Sequence, residues 1–429
     1  MKKLCGWGRY PQIEANVISF EKYFDCNSKK GLKNFISRGN GRSYGDSSLA
    51  TTVLTHASSD RFLNFDNESG ELEVESGVLI SQIIQHFAPR GWFPLFVAGT
   101  KLISVGGAIA SDVHGKNHHK DGCFSECVSE IKLMSPNKEI ITCSRKENTD
   151  IFHATCGGMG LTGPIVSAKI KLKRIRSTFI EQEVIKTKNL KETFETFEAI
   201  KDYRYSVAWL DCLNEKKLGR AVINFGDFSN DGNLILQKKR QIKVPLEMPS
   251  FTLNTFNIKQ FNKLYYSTAK EGTSKIYFEK FFFPLDSILD WNLIYGKSGF
   301  MQYQFIMPKE KSFDGISEIL REISSSKFKS FLSVLKLYGP QNDNFLSFPM
   351  EGYSLAIDFK IEKGLLEFID SLNDIILKFE GRIYLAKDVC MPKEVFDIGY
   401  PKSQDFRALR EMHGFNKYFN SLQSLRLNL

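Results

Sequence analysis

Three glycine-rich stretches in the N-terminal part of the chain could bind an anion. They cover residues 39–46, 103–114 and 157–163. Because glycine has no Cβ, backbone N–H groups in such loops can converge on a phosphate and approach it closely. A single loop of this kind more often marks a turn, whereas three in one domain could wrap a large diphosphate cofactor.

The two most common nucleotide-binding motifs do not fit these loops. The dinucleotide pattern G-x-G-x-x-G needs its third glycine where Tyr44 stands, and Gly45 comes one residue too late. That pattern also requires a helix after the turn, but residues 49–54 have the composition of a strand. The loop at 157–163 lacks the lysine of a Walker A motif. The sequence therefore supports neither a Rossmann fold nor a P-loop.

Histidines beside the second loop raise the question of a metal site. His114 and His118 are one helical turn apart and His119 follows, a spacing that could hold a metal ion. Lys116 and Lys120 lie among these histidines and would repel a cation. We therefore expect no metal site here.

The elements that carry the loops indicate an α+β fold. A short strand over residues 31–37 precedes the first loop, and a strand followed by a helix fits residues 72–84. A turn sequence separates two apolar runs within residues 130–143, which predicts a hairpin, and residues 165–175 fit one long strand. The N-terminal part is therefore predicted to be an α+β domain with three glycine-rich loops.

The composition changes near Ser177, where glycine becomes sparse and aromatic residues become denser. Apolar residues recur at helical spacing in 190–202, 314–323 and 364–379, and they alternate in 353–361 as in a half-buried strand. Strands that alternate with helices in this way predict an antiparallel sheet backed by helices.

We divide the chain into three parts on these observations. Residues 1–177 form the first domain, residues 178–380 the second, and residues 381–429 a C-terminal segment that returns to the first domain. Residues 228–275 are less regular, and we expect loops over the site there.

The charge balance suggests a class of partner. The formal net charge of +9 favours a phosphate-bearing ligand, an anionic membrane surface or nucleic acid. The basic run at 169–176 alternates with apolar residues, which predicts a strand with one basic face. No nucleic-acid-binding motif accompanies the charge, so we expect no nucleic-acid partner.

Neither the cysteines nor the N-terminal sequence indicates secretion. The eight cysteines form no CxxC pair, which is typical of reduced thiols in a cytosolic protein. Residues 4–9 are not the apolar core of a signal peptide, and the sequence has no run of about 18 apolar residues that would predict a transmembrane helix. We expect a protein that is cytoplasmic or peripheral to the inner membrane.

The loop sequences together resemble the FAD enzymes of the vanillyl-alcohol-oxidase (PCMH) superfamily. Residues 38–46 are similar to the first pyrophosphate loop of these enzymes, and residues 99–119 are similar to the second. Within that superfamily, the run HGKNHH at 114–119 resembles the decaprenylphosphoryl-ribose 2-oxidase family. Further matches follow in order along nearly the whole chain, at residues 157–163, 302–305, 334–336 and 384–388.

The resemblance implies a fold and a cofactor. The fold class is α+β, with a PCMH-type FAD-binding domain of two α+β subdomains and a cap or substrate domain whose antiparallel sheet is flanked by helices. Many members attach FAD through a histidine in the first loop, where this chain has Arg42, so we predict non-covalent FAD. The residues that match FAD contacts are Ser37, Arg38, Gly39, Asn40, Gly41, Arg42, Ser43, Tyr44, Gly45, Asp46, Ser47, Gly99, Thr100, Ser104, Val105, Gly106, Gly107, Ser111, Asp112, Val113, His114, Ile165 and Tyr384.

The resemblance also implies catalytic and substrate-binding residues. Lys387 would stabilise negative charge on the reduced flavin or, with a lowered pKa, accept the proton of the substrate hydroxyl. The lysines at 116 and 336 are expected to pair with a substrate phosphate. Taken alone, Lys387 fits a solvated surface lysine and Gln304 an outward-facing strand residue. The catalytic set is Lys387, His114 and Tyr44, and the substrate-binding set is Lys116, Gln304, Lys336 and Tyr303.

The expected reaction follows from the same resemblance. It is the oxidation of a sugar hydroxyl to a ketone, at the 2-hydroxyl of a polyprenyl-phosphoryl ribose, as the oxidative half of a 2-epimerisation. A separate NAD(P)H-dependent short-chain reductase would complete the epimerisation, and a lipid-linked substrate is compatible with peripheral membrane contact. Two alternatives stay open. One is a soluble sugar, alditol or aldonolactone oxidase of the same superfamily, and the other is a non-catalytic flavin- or polyprenyl-binding protein.

Overall fold

A computed structural model describes residues 1–25, 32–213, 218–237, 241–249 and 252–429. The strands, in chain order, are β1 Lys2–Cys5, β2 Gln12–Ser19, β3 Phe35–Arg38, β4 Thr52–Thr55, β5 Phe62–Phe65, β6 Glu71–Glu75, β7 Trp92–Pro94, β8 Val128–Met134, β9 Ile140–Cys143, β10 Ile165–Arg174, β11 Phe179–Thr187, β12 Tyr205–Leu210, β13 Ala221–Phe228, β14 Ile242–Lys243, β15 Gly272–Tyr277, β16 Ile288–Leu289, β17 Phe300–Pro308, β18 Ser333–Tyr338, β19 Gly352–Lys360 and β20 Arg382–Ile383. The α-helices are α1 Phe20–Asp25, α2 Ile80–Phe87, α3 Val105–Ala110, α4 His118–Asp121, α5 Thr149–Thr155, α6 Leu190–Ala199, α7 Thr255–Thr268, α8 Phe278–Phe282, α9 Lys309–Ser325, α10 Leu365–Lys378, α11 Lys393–Gly399, α12 Ser403–Met412 and α13 Leu422–Leu427.

Within these ranges the strands form three larger sheets and one ribbon of two strands. The first sheet has the order β1-β2-β4-β3, and the second has the order β5-β6-β10-β8-β9 with β7 paired to β10. The third has the order β15-β11-β13-β12-β18-β19-β17-β20, and its neighbouring strands are antiparallel. The ribbon joins β14 to β16. The predicted α+β class with an antiparallel second sheet is confirmed, whereas the domain limits at 177 and 380 stay a prediction.

The third sheet buries one face against helices and turns the other toward the N-terminal loops. Helices α6 and α9 pack on the first face, α10 packs on α9, and Phe305 and Leu335 are fully buried there. The alternation at 353–361 predicted a half-buried strand, but every residue of β19 except Lys360 is buried. Residues from elsewhere in the chain, among them Tyr295, cover the second face of β19, and the strand's own pattern could not reveal them.

Most of the local predictions are confirmed. β8 and β9 form the predicted hairpin, with Ile131 opposite Cys143. The long strand predicted at 165–175 is β10, and α6, α9 and α10 occupy the three helical windows. The first glycine-rich loop leads into strand β4 and not into a helix, as its sequence predicted.

The prediction for residues 228–275 was wrong in part, because this region contains helix α7 and strand β15 as well as loops. On α7 the side chains of Phe256 and Leu264 point toward solvent, so the apolar spacing does not mark a stripe that faces the core. Residues 238–240 and 250–251 of this region lie outside the described residues.

The C-terminal segment contacts both the first sheet and the third. β20 pairs with β17, and further along the backbone N–H of Phe35 in β3 donates to the carbonyl of Tyr418. Near the end of the chain, the Arg426 guanidinium donates to the carboxylates of Asp46 at 3.0 Å and Asp388 at 2.8 Å. The segment therefore joins the first glycine-rich loop to the sheet.

Across the described ranges, none of the helices has the length and apolar character needed to cross a bilayer. Cys26 lies outside the described residues. The cysteines that the structure describes are free thiols, namely Cys5, Cys123, Cys127, Cys143, Cys156, Cys212 and Cys390.

Candidate active site

A cavity of about 590 Å³ lies between the glycine-rich loops and the open face of the third sheet. Four adjacent strands contribute side chains to it: Val207 from β12, Lys336 from β18, Ala356 from β19 and Gln304 from β17. On each strand these side chains share a face with the residues two positions away. All three glycine-rich loops contribute to the opposite wall.

The first loop joins β3 to β4 and is held from behind. Arg38 donates from Nη2 to the carbonyl of Cys5 at 2.7 Å and from Nη1 to Oγ of Ser48 at 3.1 Å. A Cβ on Gly45 would lie 1.9 Å from the carbonyl oxygen of Asp388, so only glycine fits there. Both residues shape the loop without lining the cavity.

Arg42 extends from the first loop to the cavity wall. Its guanidinium carbon lies 4.2 Å from the Trp7 ring centroid, and its Nε is buried without a hydrogen-bond partner among the described residues. Burial lowers the pKa of Arg42, and the carboxylates of Asp286 and Asp290 oppose that shift. An orphaned buried donor calls for a partner, and a bound anion would supply one.

The second loop leads into α3, whose first turn is capped by Ser104. The Ser104 Oγ accepts from the backbone N–H of Gly107 at 3.2 Å. The loop is tied to the segment after α8, because Asp286 Oδ1 accepts from Oγ1 of Thr100 at 2.7 Å. A Cβ on Gly99 would meet no atom of the described residues within 4 Å, so the backbone at Gly99 borders open space in the cavity.

Asp112 anchors the end of α3 from outside the cavity. It has a φ of +37°, and its carboxylate accepts from the Ser125 N–H at 2.9 Å, from Ser347 Oγ at 2.6 Å and from Asn344 Nδ2 at 2.8 Å. The carboxylate is therefore engaged in the scaffold that supports the second loop.

The loops and the cavity fit a large cofactor that carries a diphosphate. Gly99 leaves the backbone open to the cavity, and the buried Nε of Arg42 has no partner among the described residues. Cofactor pockets are typically roughly 300–1,000 Å³, and the cavity volume of about 590 Å³ falls in that range. These features agree with the prediction that the glycine-rich loops bind an anion.

His114 and Gln304 meet on the floor of the cavity. The Gln304 Nε2 donates to His114 Nε2 at 3.0 Å, which leaves the proton of the imidazole on Nδ1. The buried His114 Nδ1 has no hydrogen-bond partner in the described part of the chain. Burial, with Lys336 nearby, holds the pKa of His114 well below its usual range, so the ring is neutral at physiological pH.

Two lysines, Lys116, which is buried, and Lys336, which is partly exposed, line the same cavity with different hydrogen-bond partners. Lys116 donates from Nζ to the carbonyls of Phe281 at 2.9 Å and Phe282 at 2.6 Å, and burial lowers its pKa to about 7. The Lys336 side chain forms no hydrogen bond or ion pair with the residues that the structure describes, and desolvation lowers its pKa to about 8. Of the two, only Lys336 keeps its ammonium N–H donors without a partner among the described residues.

A third lysine, Lys387, lies on the C-terminal segment. Its Nζ is 3.6 Å from the centroid of the Tyr44 ring, and it has no ion pair within the described ranges. Asp358, 1% exposed, accepts from the hydroxyl of Tyr295 at 3.0 Å and from Gln302 Nε2 at 2.6 Å. Burial raises the pKa of Asp358, while desolvation lowers the pKa of Lys387 and Asp358 opposes that lowering.

The structure brings most of the sequence-predicted residues to this cavity, but not Tyr303. Because Tyr303 alternates with Gln302 and Gln304, its side chain faces the helices, and its hydroxyl donates to Asn373 Oδ1 on α10 at 2.9 Å. The other predicted residues that do not line the cavity are Arg38, Gly45, Asp46, Val105 and Asp112. Those that line it are Ser37, Gly39, Asn40, Gly41, Arg42, Ser43, Tyr44, Ser47, Gly99, Thr100, Ser104, Gly106, Gly107, Ser111, Val113, His114, Lys116, Ile165, Gln304, Lys336, Tyr384 and Lys387.

The three histidines at 114–119 point in different directions. His118 Nδ1 accepts from the Gly339 N–H at 3.1 Å, and His119 Nε2 bonds the carbonyl of Tyr203 at 2.8 Å outside the cavity. Only His114 reaches the cavity. Their spacing in the sequence therefore does not bring the three rings together around one point.

Sequence reasoning missed several residues of the site. Asp286 gave no signal, since its role depends on the contact with Thr100, 186 positions away. Asp358 had a usable signal, because its carboxylate follows Ile357 and precedes Phe359 in an alternating strand and so faces the side opposite both. A charge in such a place needs partners on that side.

Comparisons with known proteins agree with this picture. The family described as FAD binding domain matches residues 20–144. The chain is 34% identical over 451 residues to decaprenylphosphoryl-β-D-ribose oxidase of Mycolicibacterium smegmatis, an alignment that covers 100% of this chain and 98% of that protein. Shorter matches include cytokinin dehydrogenase 2 of Arabidopsis thaliana, 26% identical over 38% of this chain and 32% of that protein. Mouse L-gulonolactone oxidase is 25% identical over 31% of this chain and 30% of its own.

Proposed function

The chain belongs to the decaprenylphosphoryl-β-D-ribose oxidase family of FAD-linked oxidoreductases, and from that premise we propose its substrate and reaction. It oxidises a secondary hydroxyl of a polyprenyl-phosphoryl sugar, the 2-hydroxyl of a ribose unit, to a ketone. This is the oxidative half of a 2-epimerisation. A separate NAD(P)H-dependent short-chain reductase returns the ketone to an alcohol of opposite configuration.

The residues present fit non-covalent FAD. The first and second loops would hold the diphosphate through backbone N–H groups and through the Arg42 Nε, which has no partner in the part of the chain that the structure describes. Arg42 stands where many superfamily members place a linking histidine, and its guanidinium packs on Trp7. When bound, FAD supplies the acceptor for the hydride that leaves the carbinol carbon.

The placement of Lys387 carries the proposal for catalysis. Its Nζ faces the cavity beside the Tyr44 ring, without an ion pair among the described residues. Desolvation lowers the pKa of Lys387, so the neutral amine is accessible near neutral pH and accepts the hydroxyl proton as the C–H bond breaks. Burial holds the pKa of Tyr44 well above its usual range, so the phenol keeps its proton.

Two further groups orient the sugar and its phosphate. The His114 Nδ1–H is a buried donor without a partner in the described chain, and it is suited to a sugar oxygen. Gln304 fixes the tautomer of that imidazole. Lys336 offers its open ammonium to the substrate phosphate, with Lys116 held behind it by two carbonyls.

Anaerobic mixing of the FAD-bound protein with a polyprenyl-phosphoryl ribose tests the proposal. The visible flavin absorbance should bleach, and mass spectrometry should show a product two mass units lighter, because two hydrogens leave the substrate. Turnover of free sugars or aldonolactones with no response to the lipid-linked sugar would favour a soluble sugar oxidase. The partial similarity to L-gulonolactone oxidase makes that the second candidate. No bleaching with any sugar would favour a non-catalytic flavin-binding protein.

A further inference from the structure

Four large apolar side chains near the cavity are left in solvent. Phe256 and Leu264 on α7 are 68% and 62% exposed, and Ile242 on β14 and Leu246 after it are 69% and 60% exposed. We call these four residues the apolar rim. Exposed apolar residues scattered singly are normal, whereas two pairs on segments that each adjoin cavity-lining residues indicate a binding surface.

Both segments of the apolar rim border the opening of the cavity. On α7, Phe261 and Tyr265 line the cavity and are themselves 44% and 39% exposed, so the cavity reaches solvent there. On the other segment, Ile242 pairs with Ile288, which also lines the cavity. Leu253, which precedes α7, and Ile288 both pack against the buried cluster that contains Trp291 and Tyr295.

The charge on α7 has one sign. Residues 252–270 contain three lysines and no aspartate or glutamate. Lys259 and Lys263 are exposed, and neither forms an ion pair within the described part of the chain. The opposite side of the helix is anchored to the protein, since Ile258 is buried and Asn262 Nδ2 donates to Asp211 Oδ1 at 2.9 Å.

We infer that the apolar rim docks the opening of the cavity onto an anionic lipid bilayer. Apolar side chains enter the interfacial region, and flanking lysines meet the headgroups, as in helices that lie in a membrane surface. A second copy of the chain fits the surface less well, because Lys259 and Lys263 of both copies would face each other and repel. If the proposed function is right, a lipid-linked substrate then passes from the bilayer into the cavity without crossing water.

Vesicle flotation of the full-length, FAD-bound protein tests the inference. It should float with vesicles of phosphatidylcholine and phosphatidylglycerol and bind vesicles of phosphatidylcholine alone more weakly. Lys259→Gln with Lys263→Gln should weaken binding to the anionic vesicles about 25-fold, since each lysine near such a surface contributes a factor of about five. Phe256→Glu with Leu264→Glu should abolish flotation. The matched control is Ile398→Glu with Met412→Glu, which alters equally exposed apolar residues on the C-terminal helices and should float like the wild type.

Equal flotation of the wild type and the Phe256/Leu264 variant would overturn the inference. A loss of self-association in that variant on light scattering, with no flotation of the wild type, would also overturn it by assigning the surface to a second copy. Flavin reduction by a short-chain, water-soluble polyprenyl-phosphoryl ribose separates this result from the proposed function. Reduction without flotation would reject membrane docking by the apolar rim and leave the proposed function standing. Flotation without reduction would reject the proposed substrate and leave membrane docking standing.

Discussion

The ammonium nitrogen of Lys387 lies 3.6 Å from the centroid of the Tyr44 ring, which packs in a T-shaped arrangement with Phe300. A cation over an aromatic face is stabilised by about 0.5–2 kcal/mol, depending on its desolvation. Tyr44 belongs to the first glycine-rich loop and Lys387 to the C-terminal segment. The contact therefore joins the two ends of the chain at the point where proton transfer is proposed.

Replacing Lys387 with alanine is expected to slow flavin reduction by the lipid-linked sugar by roughly 10²–10⁴-fold, the usual contribution of a positioned proton acceptor. FAD should stay bound, because the loops that would hold it are untouched. Stopped-flow absorbance under anaerobic conditions measures the rate, and the spectrum of the resting protein reports bound flavin. Lys417→Ala, an exposed lysine on the same segment, serves as the control. Unchanged reduction in the Lys387 variant would remove this lysine from the reaction.

Replacing Asp358 with asparagine is expected to shift the pH profile of flavin reduction. The rate should rise with pH as Lys387 loses its proton, and Asp358 is the group that opposes the lowering of that pKa. Without the carboxylate the pKa of Lys387 falls further, so the rise should move to lower pH by roughly one unit or more. The exposed Asp405→Asn variant should keep the wild-type profile. A superimposable profile for the Asp358 variant would show that the two groups are not coupled.

Replacing Lys336 with methionine is expected to stabilise the protein while weakening substrate binding. Burial lowers the pKa of Lys336 from 10.5 to about 8, so the folded state holds this proton less tightly than the unfolded chain. That destabilisation is fully present below about pH 8 and fades as the pH rises toward 10.5. At pH 7 the Tm of the variant should therefore exceed the wild-type Tm by roughly 2 °C or more.

The advantage of the Lys336 variant should disappear when melting is repeated near the ordinary lysine pKa of 10.5. The exposed Lys363→Met variant should have the wild-type Tm at both pH values. A lower Tm for Lys336→Met at pH 7 would mean that the lysine is paired in the folded protein and not merely desolvated.

Replacing Gly99 with alanine is expected to separate folding from cofactor binding. The added methyl group meets no atom of the described ranges within 4 Å, so the apoprotein should melt at the wild-type temperature. The same methyl group would occupy cavity space beside the second loop, so FAD affinity should fall by roughly tenfold or more, as expected when a close backbone approach is blocked. Fluorescence titration of the apoprotein with FAD measures the affinity. Wild-type affinity would place the cofactor away from this part of the loop.

Acid precipitation of the purified yellow protein is expected to release FAD into the supernatant. The prediction rests on Arg42, which replaces the histidine that links flavin in many superfamily members. Its guanidinium carbon lies 4.2 Å from the centroid of the Trp7 ring. The absorbance of the supernatant and the mass of the released compound are the measurements. Yellow colour that stays in the pellet would demonstrate a covalent link.

The part of the site that the sequence predicted depends on local backbone requirements. Gly45 must lack a side chain because the carbonyl of Asp388 fills that space. Such constraints require glycine at fixed positions, and the glycine pattern is visible in the sequence. The missed parts depend on contacts between distant segments, as for Asp286 with Thr100. Helix α7 was missed for another reason, since Phe256 and Leu264 face solvent and its apolar pattern no longer marks the core.

Arg426, which bonds Asp46 and Asp388 together, also sets an order of events during synthesis. The glycine-rich loops leave the ribosome early. The segment that carries Lys387 is held beside them by Arg426, which lies in helix α13 and is synthesised much later. A nascent chain arrested before residue 426 therefore lacks the contacts that hold Asp388, and with it Lys387, beside the first loop. We therefore expect stable FAD binding to require the chain through Arg426, and nicking the chain after Asp388 should release a flavin that the intact protein retains.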